Sequence, residues 1–141
     1  MIKRNGFTLI EMLIVLGILS VLLLISSPLN YSALEKQRTK QFFDTFEFDV
    51  LYIQNLSTSS ENSLKIRFFD NNYKVFNAIN QVIETRIYPD GMIIDPWVHS
   101  TITFNQNGTF MNPGKIKVTT NHGMYHIVFP LGKGRCYIVE I

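Results

Sequence analysis

KRNGFTLIEMLIVLGILSVLLLISSP, residues 3–28, sets two basic side chains and a glycine before a long apolar run that carries one acid, Glu11, near its start. Between Phe7 and Ser27 the remaining residues are apolar or small, Thr8 and Ser20 being the polar exceptions before the closing serines. As a helix rising about 1.5 Å per residue, such a run matches the roughly 30 Å hydrocarbon core of a bilayer. Lys3 and Arg4 precede it without nearby acids, so the positive-inside rule predicts residues 1–6 in the cytoplasm and the rest of the chain outside. A cleaved secretory signal fits less well. It needs small residues at the minus-three and minus-one positions, and in LISSPLNYSALE both Pro28 and Tyr31 intrude. A carboxylate at bilayer depth is costly and as a rule has a partner. Two readings stand for Glu11: it lies one turn into the helix and reaches back to the cytoplasmic headgroups, or it meets a positive group from another subunit.

Gly6-Phe7-Thr8-Leu9-Ile10-Glu11, after a short basic leader and before an apolar helix, resembles the N-terminal signature of type IV prepilins and pseudopilins. The resemblance implies that a prepilin peptidase cuts between Gly6 and Phe7 on the cytoplasmic side and methylates the new amino group of Phe7. It further implies that Glu11 pairs with the Phe7 ammonium of a neighbouring subunit during assembly. The chemistry suits that pairing, because an α-amine of reference pKa near 8 keeps its charge on methylation and low dielectric strengthens the attraction. Gly6 has no side chain to obstruct a protease at the backbone. Pro28 matches the family position where a proline interrupts the long helix. Physically it removes one backbone hydrogen bond, and so either bends the helix or ends the membrane segment.

Beyond the apolar run, Phe42, Phe43, Phe46, Val50, Ile53 and Leu56 recur at three- and four-residue spacing, with Lys36, Arg38, Lys40, Asp44, Glu47 and Asp49 between them. That predicts an amphipathic helix over residues 31–57, continuing the membrane helix and laid against a sheet. Serines and a threonine at 57–63 read as its terminating loop. From residue 64 the period changes to two. Strands are expected at 64–69 and 72–76 about an Asp70-Asn71-Asn72 turn, and at 81–88 before Pro89-Asp90-Gly91. Further strands at 101–104 and 115–119 flank Asn107-Gly108, and a last pair at 125–129 and 135–141 flanks Pro130 to Gly134. Helix first and antiparallel strands afterwards make an α+β domain with the sheet laid on the helix, and the resemblance implies that this is a type IV pilin-like fold. The expected organisation is a leader at 1–6, a transmembrane and assembly helix at 7–28, its amphipathic continuation at 29–57, and a β-rich head at 58–141.

Composition narrows the chemistry. The 141 residues carry 13 Lys and Arg against 11 Asp and Glu, a formal +2. Lys3 and Arg4 lie in the leader, so a processed chain is near neutral and only a local patch could favour nucleic acid. Cys136 is the single cysteine, which excludes an internal disulfide framework and multi-cysteine metal sites; it reads as a buried thiol or a subunit contact. His122 and His126 fall in turn and strand, where their spacing separates Cα atoms by roughly 13 Å, too far to share a metal. Asp90 and Asp95 read as turn and cap residues. With no nucleophile constellation or phosphate loop, the chain reads as non-enzymatic and needing no cofactor. Trp97 reads as core or as an exposed subunit contact.

Gly132-Lys133-Gly134-Arg135 has two readings, a hairpin turn with exposed charges or a phosphate contact in which turn amides, Lys133 and Arg135 grip a nucleic-acid backbone, with Lys115 and Lys117 extending the patch. Such contacts alone give weak, salt-sensitive binding. The layout from Phe104 to Arg135 also resembles the C-terminal half of competence minor pseudopilins of Gram-positive bacteria, and the wider minor pilins of the FimT and GspH kind. In some of that wider family a Gly-Arg motif is associated with DNA binding; here Gly134-Arg135 is followed by Cys136-Tyr137 without a second arginine. The resemblance implies a single-pass membrane subunit, head outside, that joins a cell-surface filament for DNA uptake and helps initiate or cap it. Its implied partners are the prepilin peptidase, the major and other minor pseudopilins, and a membrane platform, with an assembly ATPase acting indirectly. The alternatives are a direct DNA-binding subunit and a pseudopilin of type II secretion.

Overall fold

A computed structural model describes residues 7–26, 31–59, 64–96, 100–132 and 134–141. Gly6, Pro28, Trp97 and Lys133 lie outside the described residues. The chain divides into two compact units, Met1–Gln37 and Arg38–Ile141.

In the first unit, α1 (Leu9–Ser26) has 18 residues, and its described side chains are all exposed. At 1.5 Å per residue it is about 27 Å long. Among the described residues no helix is long and apolar enough to cross a membrane. Glu11 is the one charged residue of α1.

The helix α2 (Tyr31–Ser59) begins in the first unit and supplies the spine of the second. Phe42, Phe43, Phe46, Val50 and Ile53 are buried at the spacing the sequence predicts. The helix runs two residues past its expected end. Ser57 Oγ donates to the Ile53 carbonyl at 2.9 Å, and Thr58 Oγ1 to that of Asn55 at 2.7 Å, so these hydroxyls bond back to the preceding turn instead of opening a loop.

Among the described residues eight antiparallel strands follow, divided between two four-stranded sheets. The first sheet has the order β3-β2-β1-β5, with β1 Lys65–Phe68, β2 Asn72–Phe76, β3 Val82–Ile87 and β5 Thr101–Thr103. The second has the order β4-β6-β7-β8, with β4 Ile93–Asp95, β6 Gly114–Thr120, β7 Gly123–Phe129 and β8 Tyr137–Glu140. The hairpin read at 64–76 is present, Phe68 facing Tyr73 and Lys65 facing Phe76. The last strand pair is present too, Val128 facing Tyr137.

The strands flanking Asn107-Gly108 do not pair: β5 joins β1, and β6 lies between β4 and β7. The turn closes only a Phe104–Phe110 bridge, and those two buried rings meet with centroids 4.6 Å apart. Asn105 Oδ1 takes the N–H groups of Asn107 and Thr109 at 3.0 and 2.9 Å, holding the turn tight. Burial of the two rings commits the chain to the core at that point, and it then crosses to the other sheet. One apolar cluster joins α2 to both sheets, with Phe46, Ile66, Tyr73, Ile116 and Ile127 wholly buried.

Candidate functional site

Thr8 stands immediately before α1, and Glu11 is the third residue of that helix. The Thr8 N–H and hydroxyl both donate to Glu11 Oε2 at 2.8 Å, and the Glu11 N–H donates to Thr8 Oγ1 at 3.4 Å. This is a reciprocal capping box, in which side chains satisfy amides that have no partner in the first turn. Neither reading of Glu11 from the sequence included this partner within the chain, although Thr-x-x-Glu is a recognisable signal. Every group in the box comes from Thr8 or Glu11, so removing residues 1–6 takes away none of it. Both bonds accepted by the carboxylate fall on Oε2, and the described residues give Oε1 no hydrogen bond. Phe7 is 85% exposed at the same end of the helix.

On the head, Lys115, Lys117 and Arg135 are the described members of the expected basic patch. Lys115 and Lys117 lie exposed on one face of β6, alternating with buried Ile116 and Val118. Lys117 faces Asp95 on one neighbouring strand and His126 on the other, so an acid sits within the row. Arg135 is exposed and lines a different feature, an open recess of about 360 Å³ with Leu51, Gln54, Thr58, Asn107 and Gly108. Gln54 Nε2 donates to the Gly108 carbonyl at 2.7 Å and ties α2 to that turn. His122 lies in the β6–β7 turn, its N–H donating to Thr120 Oγ1 at 3.2 Å, while His126 is on β7. Cys136 is buried, and burial, aided by the nearby Glu47 charge, pushes its thiol up to about 12. Among the described residues no group of three His, Cys, Asp or Glu side chains could hold a metal ion.

One polar cluster had no signal in the sequence. Asp49, on α2 and 7% exposed, accepts the Tyr73 hydroxyl at 2.7 Å and Arg86 Nε at 3.1 Å, both on Oδ2. Burial, with the Asp49 hydrogen bond second, holds the Tyr73 phenol well above its ordinary range. The cluster fastens α2 across β2 and β3.

Residues 1–27 match the prokaryotic N-terminal methylation motif. Over 134 residues, 94% of this chain and 92% of the relative, the sequence is 29% identical to the competence protein ComGD of Bacillus subtilis (strain 168). No solved structure matches the chain.

Proposed function

We propose, for a chain that is a ComGD-like type IV pseudopilin, the role of a minor subunit in a competence pilus. In this reading a prepilin peptidase removes residues 1–6 and methylates Phe7. The processed subunit then joins major and other minor pseudopilins on a membrane platform driven indirectly by an ATPase, and helps initiate or cap the filament needed for DNA uptake. The observation that carries the reading is the methylation motif over residues 1–27, joined to likeness along 94% of the chain to a competence protein. The Thr8–Glu11 box supports it, because it holds the carboxylate at the helix start with groups that cleavage leaves in place. Exposed Phe48 and Tyr52, one turn apart on α2, add an apolar surface suited to subunit packing.

A competence relative favours this role over type II secretion. Direct DNA contact has less support, since Arg135 lines a recess with α2 residues and Asp95 faces Lys117. The test is intact-mass measurement of the chain from cells with and without prepilin peptidase, paired with transformation assays of a deletion strain. The expected species is Phe7–Ile141 carrying one methyl group, only where the peptidase is present, and loss of transformation on deletion. A chain that keeps residues 1–6 beside an active peptidase refutes the processing, and unchanged transformation refutes the role.

A further inference from the structure

The first sheet turns one face to the core and the other away from it. Ile66 and Phe68 of β1, Tyr73 and Val75 of β2 and Ile102 of β5 are buried in the core cluster. By alternation, Lys65, Arg67 and Phe69 leave β1 on the opposite face, together with Lys74 and Phe76 of β2. Phe76 is buried yet does not belong to the core cluster.

The register draws one straight row across all four strands: Thr101 of β5, Arg67 of β1, Lys74 of β2 and Thr85 of β3. Lys65 stands two residues from Arg67 on the same face, opposite Phe76. Arg67 and Lys74 are direct cross-strand partners, and like charges set opposite one another destabilise a sheet. They reach in opposite directions along the ladder. The Arg67 guanidinium carbon lies 5.3 Å from the centre of the Phe76 ring, and Lys74 Nζ lies 5.3 Å from that of Phe69. The rings hold the two cations in place without neutralising them. Glu84 is the single acid in these four strands, and it pairs with Arg86 at 3.5 Å, a side chain that bonds Asp49 of α2. Among the described residues no acid pairs with Lys65, Arg67 or Lys74.

A row that opposes like charges, with no acid to relieve them, breaks a local rule of strand pairing, and such breaks are expected at functional sites. Three positioned cations flanked by threonine hydroxyls suit a chain of phosphodiesters, whose oxygens accept from both kinds of group. Phe76 is 8% exposed and Phe69 has Lys74 above it, so the rings support the cations and are not open platforms for unstacked bases. Contact through the backbone alone fits a duplex.

We propose that the outer face of the first sheet binds the phosphate backbone of double-stranded DNA through Lys65, Arg67 and Lys74. The cationic face stands on the geometry; the choice of DNA among phosphate polyanions rests on the DNA-uptake role proposed above. This surface is separate from Lys115 and Lys117, which belong to the second sheet.

The test is fluorescence anisotropy of a short labelled duplex titrated with the full chain in nonionic detergent micelles at several salt concentrations. Three phosphate contacts give log K against log salt a slope of about −2.7, or about a 40-fold loss of affinity between about 50 and 200 mM salt. Arg67→Gln and Lys74→Gln each reduce the steepness by about 0.9, and replacing Lys65, Arg67 and Lys74 together by glutamine abolishes binding. Lys115→Gln keeps the affinity and slope of the parent. Arg67→Lys keeps the charge and restores the slope lost in Arg67→Gln, which separates lost charge from lost folding. A parent that does not bind at about 50 mM salt, a triple variant that binds like the parent, or an equal loss from Lys115→Gln overturns the inference. So does a triple variant that still binds DNA but no longer binds phosphatidylglycerol vesicles, which assigns the face to a membrane. Processing and the deletion phenotype are read separately, so failure here leaves the pilus role standing.

Discussion

Replacing Asp49 by alanine tests the cluster that fastens α2 to the first sheet. The substitution leaves the fully buried Tyr73 hydroxyl without its acceptor at 2.7 Å and Arg86 without its partner at 3.1 Å. A buried hydroxyl left unpaired costs about 1–3 kcal/mol, and breaking a buried ion pair about 3–5 kcal/mol. The Arg86 side chain is 38% exposed, so water can take over part of its solvation, and the pair belongs below that range. The expected loss is about 3 kcal/mol for Asp49→Ala and about 1.5 kcal/mol for Tyr73→Phe, which removes one donor and leaves Asp49 its arginine. In the double variant the two losses do not add, because once Asp49 is gone the Tyr73 hydroxyl has no bond left to lose. The assay is urea unfolding of residues 38–141, the unit with its own core, followed by circular dichroism. The midpoint should fall with the slope unchanged. An Asp49→Ala loss below about 0.5 kcal/mol, or strict additivity with Tyr73→Phe, refutes the cluster as a fastening.

The buried Cys136 thiol, raised from the ordinary 9.0 to about 12, makes the head lose stability as pH rises. Its proton is held in both states below pH 9.0 and released first by the unfolded chain above it, so the contribution is complete below 9.0 and lost towards about 12. Denaturant midpoints between these pH values should fall, and fall less in Cys136→Ala; at pH 8 the native thiol should react with an aromatic disulfide orders of magnitude more slowly than the unfolded one. Gly108→Ala places a Cβ 2.8 Å from Thr58 Cγ2 at a φ of +71°. The expected cost is about 1–2 kcal/mol, read from the urea midpoint of the same head fragment. Thr8→Val breaks the box at the start of α1 and should weaken the first turn by about 1 kcal/mol; amide exchange at Glu11 should then speed up about fivefold in the micelle-bound chain.

Much of the architecture is legible because its causes are local. The three- and four-residue recurrence from Phe42 to Ile53 needs only one buried stripe to become α2, and Asp70-Asn71 between alternating runs closes β1 onto β2 whatever the rest of the chain does. Glu11 was legible in another sense. Thr-x-x-Glu states its capping role within four residues, but apolar residues on every side direct attention to the membrane and away from the box.

The sequence by itself determined the apolar α1 with its acid, the amphipathic α2, and the order of most strands, since each depends on hydrophobic period and turn chemistry spanning a few neighbours. Tertiary structure alone decided that β5, ahead of the Asn107-Gly108 turn, pairs with β1, that three-residue β4 lies beside β6, and that β3 stands at the edge of its sheet among the described strands. It alone brought Asp49 to residues 24 and 37 positions further along the chain, and put Arg135 beside α2 instead of the β6 lysines. The physical reason is that a strand's pattern fixes which face it buries but not which neighbour it bonds. That choice is made when distant segments compete for one core, where Phe104 and Phe110 pack on each other and on Phe129 within the cluster shared by both sheets.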